Sequence, residues 1–449
     1  MNKYITLLFL QILLANMVQA KSDLFQSEFI YTPEFSTEYR NMNVDENGIT
    51  VMIENRYRDE FSNTQFHMVL YHLTPDSLSL EWIKEEAIWA RVIDSVITQS
   101  NIYVLHKVKD QVYKMALSNF SIKNGSLLWR VGIGGDFDEG QFLRVNENTN
   151  ELIVIGENQE ISQLWRFDTE GNLQSHMSID IANNPQENNP FFDAETIYDI
   201  YLHPDDSVVL LALMEAEIKT RLIHISPNNV ILFDHKFEQI QHSFFNELSL
   251  SVSNDNRYLI TLNEESLFGI PRLVQYALDE NGKLLFVNQT DNFLHWSVDF
   301  VMSSFLNNDT IFNVTDVSNG GPATYEMFTT ELDGQFSPLF NYTYQNKGSL
   351  AGLTTSLLTV NDDLFMVVNK LNVFPDGTLD SIYLQWHTNG QLCSEIVNDG
   401  SDFYAFIKPY NNIIYELRYR GPYERNGRYL QVVKHPSCIE NIIFKSGFE

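Results

Sequence analysis

The chain is expected to be all-β, a β-propeller of seven or eight four-stranded blades, and three observations lead there. One glycine turn returns at a fixed interval, the same order of short apolar strands returns around it, and no helical stripe of any length interrupts them. The turn glycines Gly125, Gly171, Gly282, Gly334 and Gly390 are separated by 46, 111, 52 and 56 residues. The long gap is two periods, and its missing copy is Ser226-Pro227-Asn228-Asn229-Val230. Asp-Gly or Asn-Gly between apolar runs signals a hairpin, because Gly and Asn accept positive φ at little cost.

Residues 142–179 give the clearest unit. Phe142–Val145 is a strand, Asn146–Asn150 a turn, and Leu152–Gly156 a near-continuous apolar strand of the kind buried on both faces. Ser162–Phe167 is the third strand, Gly171 closes the turn, and Leu173–Ile179 alternates as the fourth. The order recurs from Ile197, Leu248, Phe300 and Thr355, with first turns at Pro204-Asp205-Asp206, Asn254-Asp255-Asn256, Asn307-Asn308-Asp309 and Asn361-Asp362-Asp363. Upstream lie Ile49–Ile53 with Phe66–Leu73, then Ser95–Thr98 with Ile102–Leu105. A less regular last copy holds only Phe403–Ile407, Ile413–Tyr419 and Tyr429–Val433. The best helical stretch, Glu81–Val92, fits a strand and loop equally well.

A lone four-stranded sheet cannot bury both faces. Blades packed in a closed ring can, and leave no end blade open. Two stacked β-sandwiches are the alternative, though they do not require one turn type at one position every fifty residues.

The composition is globular, with 44% hydrophobic and 13% aromatic residues. The net charge of −30 comes from 59 acidic and 29 basic residues. Such a surface repels phosphate backbones and anionic membranes, so nucleic acid is not an expected partner. The acids are scattered, which suits solubility; capture of cations or basic partners is the functional alternative. Lys3, the apolar run Ile5–Ala15 and Val18-Gln19-Ala20 read as an export signal cleaved before Lys21. No later run is long enough for a transmembrane helix. The expected organisation is a signal peptide at 1–20, a propeller at 21–437 and a tail at 438–449, in an exported protein that is periplasmic, cell-surface or secreted. Cys393 and Cys438 are the only cysteines. In an oxidising compartment they are expected to pair as a disulfide, the alternative being a catalytic or metal thiol.

Catalytic motifs are scarce. There is no Gly-x-Ser-x-Gly elbow and no metal-ligand spacing of His or Cys. His67, His72, His106, His203, His224 and His295 fall in or beside strands, where a histidine is more often a satisfied structural group than a base. Gly134–Gly140 (GGDFDEG) is the one dense acidic loop. Its Asp136 and Asp138 are the candidate metal ligands, and Ca²⁺ is the ion that such carboxylates suit. Asp45-Glu46-Asn47-Gly48 reads as a turn. Trp129, Trp165 and Trp386 lie near the recurring turn, which suggests packing between blades rather than a carbohydrate platform.

The segments LWRFDTEGNLQ (164–174) and VQYALDENGKLLF (274–286) resemble quinoprotein-type, PQQ-like β-propeller repeats. The resemblance covers most of the chain and implies the propeller fold, which cofactor enzymes, assembly scaffolds and binding proteins share. Quinone-dependent members typically carry adjacent cysteines, absent here, so no quinone cofactor is expected. The ending Ile443-Phe444-Lys445-Ser446-Gly447-Phe448-Glu449 resembles C-terminal tails of exported gammaproteobacterial proteins, implying a sorting or processing signal; a final packed or frayed strand is the alternative. The expected function is binding or scaffolding of a protein or extracellular ligand at one propeller mouth. The alternative is an exported hydrolase or lyase whose channel site is assembled from several blades.

Overall fold

In the computed structural model the described residues form thirty-two strands in eight antiparallel four-stranded sheets. Blade 1 is β2 (Thr37–Asp45), β3 (Gly48–Arg58), β4 (Thr64–Leu73) and β5 (Leu80–Ile88), preceded by β1 (Ser27–Tyr31). Blade 2 is β6 (Val92–Ile97), β7 (Asn101–Lys107), β8 (Met115–Ser121) and β9 (Leu127–Ile133). Blade 3 is β10 (Asp138–Asn146), β11 (Glu151–Asn158), β12 (Ile161–Asp168) and β13 (Leu173–Ile179). Blade 4 is β14 (Glu195–Leu202), β15 (Val208–Met214), β16 (Lys219–Ile225) and β17 (Ile231–Phe237). Blade 5 is β18 (Phe244–Val252), β19 (Tyr258–Glu265), β20 (Pro271–Leu278) and β21 (Leu284–Thr290). Blade 6 is β22 (Val298–Phe305), β23 (Thr310–Val317), β24 (Thr324–Glu331) and β25 (Phe336–Thr343). Blade 7 is β26 (Ser356–Thr359), β27 (Leu364–Leu371), β28 (Asp380–His387) and β29 (Leu392–Asn398). Blade 8 has β30 (Phe403–Tyr410), β31 (Ile413–Arg420) and β32 (Tyr429–Pro436). The structure describes these strands, the turns 46–47, 74–79, 98–100, 122–126, 147–150, 169–172, 203–207, 226–230, 253–257 and 279–283, and residues 91, 108, 134 and 332.

Strand order inside blades 1 to 7 is sequential, and first strands meet one another: β30 with β2, β2 with β6, β6 with β10, β10 with β14, β14 with β18 and β18 with β22. First strands are therefore innermost, around a common axis. The second strands are buried on both faces: Ile102–Leu105, Leu152–Ile155 and Val208–Ala212 have at most 1% exposure. Each such run packs on two neighbouring blades, which is why it is apolar without alternation. The stretch at 81–92 forms strand β5 and opens β6.

The last sheet closes the ring. Its fourth strand is β1, which runs antiparallel to β32 from Ser27↔Val433 to Tyr31↔Tyr429. Tyr415, Leu417 and Val432 of blade 8 join Met42, Val51 and Val69 of blade 1 in one buried cluster. Neither β1 nor β2 is contained in the strands read from the sequence, and β1 supplies the fourth strand of the less regular last copy.

Two irregularities repeat. In seven blades the first strand bulges at one position, occupied in blades 1 to 4 by Arg40, Ile93, Gln141 and Tyr198. The hairpin from third to fourth strand shifts register in blades 1 to 7, as a turn ending in a left-handed residue requires. In blades 1 to 5 that residue is Leu78, Gly125, Gly171, Asn229 and Gly282, with φ of 56, 67, 86, 58 and 77°. Asn150, Asp206 and Asn256 take positive φ in the first turns expected from sequence. The turns of Gly334 and Gly390 lie outside the described residues, as do residues 1–20, the tail 438–449, Cys438 and Asp136. Asp138 opens β10 opposite Asn158, and Cys393 lies in β29.

Candidate functional site

Polar groups on the described first strands link blade 1 to blade 2, blade 2 to blade 3 and blade 4 to blade 5. The residue after the bulge is the recurring player. Asn41 donates through Nδ2 to the Ser95 carbonyl of blade 2 at 2.6 Å. Asp94 accepts from the backbone N–H of Ser95 at 2.7 Å and from that of Leu143, in blade 3, at 2.8 Å. Asp199 accepts from its neighbour Ile200 at 2.8 Å and from the Leu250 N–H of blade 5 at 3.3 Å. Blade 3 has Phe142 at this position. There Arg144 supplies the polar group, donating to Asp94 at 3.1 Å with its guanidinium 5.5 Å from the Phe142 ring centre.

Burial raises the carboxyls of Asp94 and Asp199 above the usual aspartate range, and the hydrogen bonds and Arg144 act against it. Glu54 is deeper still, with a fully buried side chain. It accepts from the Val92 N–H of blade 2 at 2.6 Å, from Arg40 at 3.1 Å and from Arg56 at 3.4 Å. A buried carboxylate needs such partners.

The histidines are spent in a similar way. Thr50 Oγ1 lies 2.9 Å from His72, Ser118 Oγ 2.9 Å from His106, and Ser207 Oγ 2.8 Å from His224. His203 bonds the Tyr258 hydroxyl of the next blade at 3.0 Å. Burial, aided by the positive charge of Arg130, lowers His106 to about 4; burial, with His203 nearby, lowers His224 to about 4. Both rings are neutral at pH 7. The Ser207 hydroxyl donates to Asp205 at 2.7 Å, so serine stands between acid and histidine. In a hydrolytic triad the histidine occupies that middle place.

In blades 2 to 5 the third turn lies on the third residue of the preceding blade's outermost strand. A Cβ on Gly125 would meet Trp82, one on Gly171 would meet Trp129, and one on Gly282 would meet Phe233. Trp165 is 5% exposed in the core between blades 2 and 3. Trp129 and Trp165 thus belong to blade packing, as expected. In blade 4 the pattern changes partners. Ser175 replaces the aromatic residue, and Asn229 replaces glycine and donates to Ser175 at 3.0 Å. Arg166, 1% exposed, fills the space; it donates to Glu151, to the carbonyls of Asp206 and Ser226, and to Asn229 Oδ1, all at 2.9–3.1 Å.

No group of three or more His, Cys, Asp or Glu among the described residues is arranged to hold a metal ion. Among them, no helix is long and apolar enough to cross a membrane. Sequence reading missed Asp94, Asp199 and Glu54. Asp94 and Asp199 share one signal, an acid four residues before the first turn of the blade, whereas Glu54 lies in a second strand with Asn55, Arg56 and Arg58 and has none.

No protein-family model matches the chain, and no curated protein matches it in sequence. Solved structures do. The propeller of Dos1 is 11% identical over 88% of this chain and 94% of that one, with a TM-score of 0.50. The WD40 domain of SCAP from fission yeast is 10% identical over 93% and 100%, with a TM-score of 0.50. The dihydro-heme d1 dehydrogenase NirN, in complex with DHE, is 12% identical over 91% and 75%, with a TM-score of 0.52. The likeness is one of fold: the chain is a β-propeller repeat protein, whose described strands form eight blades.

Proposed function

We propose that the chain is an exported β-propeller that binds or scaffolds a protein or extracellular ligand at one face, without catalysing a reaction. The observation that carries this reading is how its buried polar groups are used. Asp94, Asp199 and Glu54 each accept the backbone N–H of the next blade, so these carboxylates hold the ring together. The apolar run and small-residue site at 1–20 support export, and the tail at 438–449 is read as a sorting or processing signal.

A second reading has one observation in its favour. Asp94 and Asp199 have raised carboxyls, and the positive charge of Arg144 acts on both, an arrangement that a channel hydrolase or lyase could use. One experiment separates the two. The mature protein is crosslinked in its own host and isolated with whatever it holds. A polypeptide recovered in fixed ratio, and retained by Asp94→Asn/Asp199→Asn, is the expected result. Turnover of a small substrate that those substitutions abolish in a folded protein would overturn it in favour of the enzyme.

A further inference from the structure

The face built from the first and third turns carries two properties that the blade seams do not use. It is acidic: on its described turns Glu46, Asp76, Glu147, Glu170, Asp205 and Glu280 are exposed, against the lysines Lys123 and Lys283. Its edge is apolar. Each outermost strand starts just after the third turn, and the next blade's turn lies on the strand's third residue. The residues before it stay open to solvent. Leu128 is 53% exposed, Leu173 55%, Leu232 56% and Leu285 44%. At two seams of the arc an acidic turn stands between exposed apolar residues. The turn 168–172, with Glu170, follows Leu128 and leads into Leu173; the turn 279–283, with Glu280, follows Leu232 and leads into Leu284 and Leu285. Outermost strands are also sheet edges, where soluble proteins avoid exposed aliphatic side chains.

We infer that this arc of blades 2 to 5 docks a cationic segment of a partner protein, one that presents aliphatic side chains between lysines or arginines. The inference rests on the binding reading above and assigns it a surface and a partner chemistry. The aliphatic residues call for apolar contact, and the intervening acids select positive charge. A second copy of this chain is a poor match, because two surfaces of net charge −30 repel. The chain's own tail matches poorly too, with Glu440 and Glu449 against Lys445.

The test uses the mature protein and a labelled peptide of alternating Lys and Leu, read by fluorescence anisotropy at low and high salt. Peptides of alternating Glu and Leu, and of alternating Lys and Ser, are the comparisons. The Lys–Leu peptide is expected to bind best, and more weakly at high salt. Leu128→Ser/Leu232→Ser/Leu285→Ser and, separately, Glu170→Lys/Glu280→Lys are each expected to weaken it about tenfold or more. All five positions are exposed, so folding should survive; an unchanged circular dichroism spectrum and melting temperature confirm it. Wild-type affinity in both variants, or equal binding of either comparison peptide, would overturn the inference. So would about a tenfold gain in affinity on removal of residues 438–449, which would make the tail the occupant, or a wild-type dimer that the serine variant dissolves. Host crosslinking of the same variants separates this failure from that of the broader reading. A partner still held by both variants sinks the arc alone, whereas no partner for the wild type sinks the binding function.

Discussion

Trp129 and Gly171 fit one another across the seam between blades 2 and 3. The indole N–H donates to the Thr169 carbonyl at 2.9 Å, and a Cβ on Gly171 would lie 3.0 Å from the ring. With φ at 86°, the turn needs glycine twice over, once for its backbone and once for its neighbour. Gly171→Ala is expected to lower stability by about 1–3 kcal/mol. In a Trp129→Leu background the cost should shrink towards the backbone share, and urea unfolding of the four-member cycle measures the coupling.

Blade 4 solves the same packing problem with charge. Arg166→Met is expected to cost about 3–5 kcal/mol, because Glu151, two carbonyls and Asn229 lose their donor at once. Adding Ser175→Phe and Asn229→Gly to Arg166→Met recreates the aromatic–glycine contact of the neighbouring seams. The triple variant should recover part of the loss, as read from its melting temperature.

Acid should loosen the molecule through its histidines. His106 and His224 titrate near 4 when folded and near 6.5 when not. Their contribution is whole above pH 6.5 and is lost as pH falls towards 4, by about 3 kcal/mol each as an upper figure. Asp94 and Asp199 act in the opposite sense. Their raised carboxyls favour the folded state most below pH 3.8, and that advantage fades as pH rises. Stability is therefore expected to fall between pH 6.5 and 4, less steeply than the histidines alone dictate. His106→Gln/His224→Gln should flatten the slope in denaturation series across that range.

Removal of β1 leaves β32 as an open edge in the last blade. A chain starting at residue 37 is expected to lose a few kcal/mol and to self-associate. A synthetic peptide spanning 27–31 should restore the monomer on a sizing column, and failure to do so would deny β1 its closing role.

The hairpin turns and the buried second strands were legible from the sequence because each is local, and the repeat placed the blade number at seven or eight. Gly171 and Asn229 announce their turns within five residues of chain, and Leu152–Ile155 announces its burial by composition alone. The seams were not legible. Asp94 meets Leu143, Arg166 meets Ser226, and Asn41 meets Ser95, each about fifty residues apart. Those pairings exist only after blades stack, and a lone aspartate in a strand looks the same whether it faces water or a neighbour's amide. The hydroxyl partners of His72, His106 and His224 needed the sheet register to be seen.

The placement of β1 also sets an order in time. Strand β1 is made about 400 residues before β32, its partner among the described strands, an interval of some 20–80 s of synthesis at ordinary rates. Blades 1 to 7 can each form as their own four strands appear, but the ring cannot lock until the last strand is made. Through that interval β1 must stay unclaimed, so of the described strands it is the one that whatever shields the chain has to protect longest.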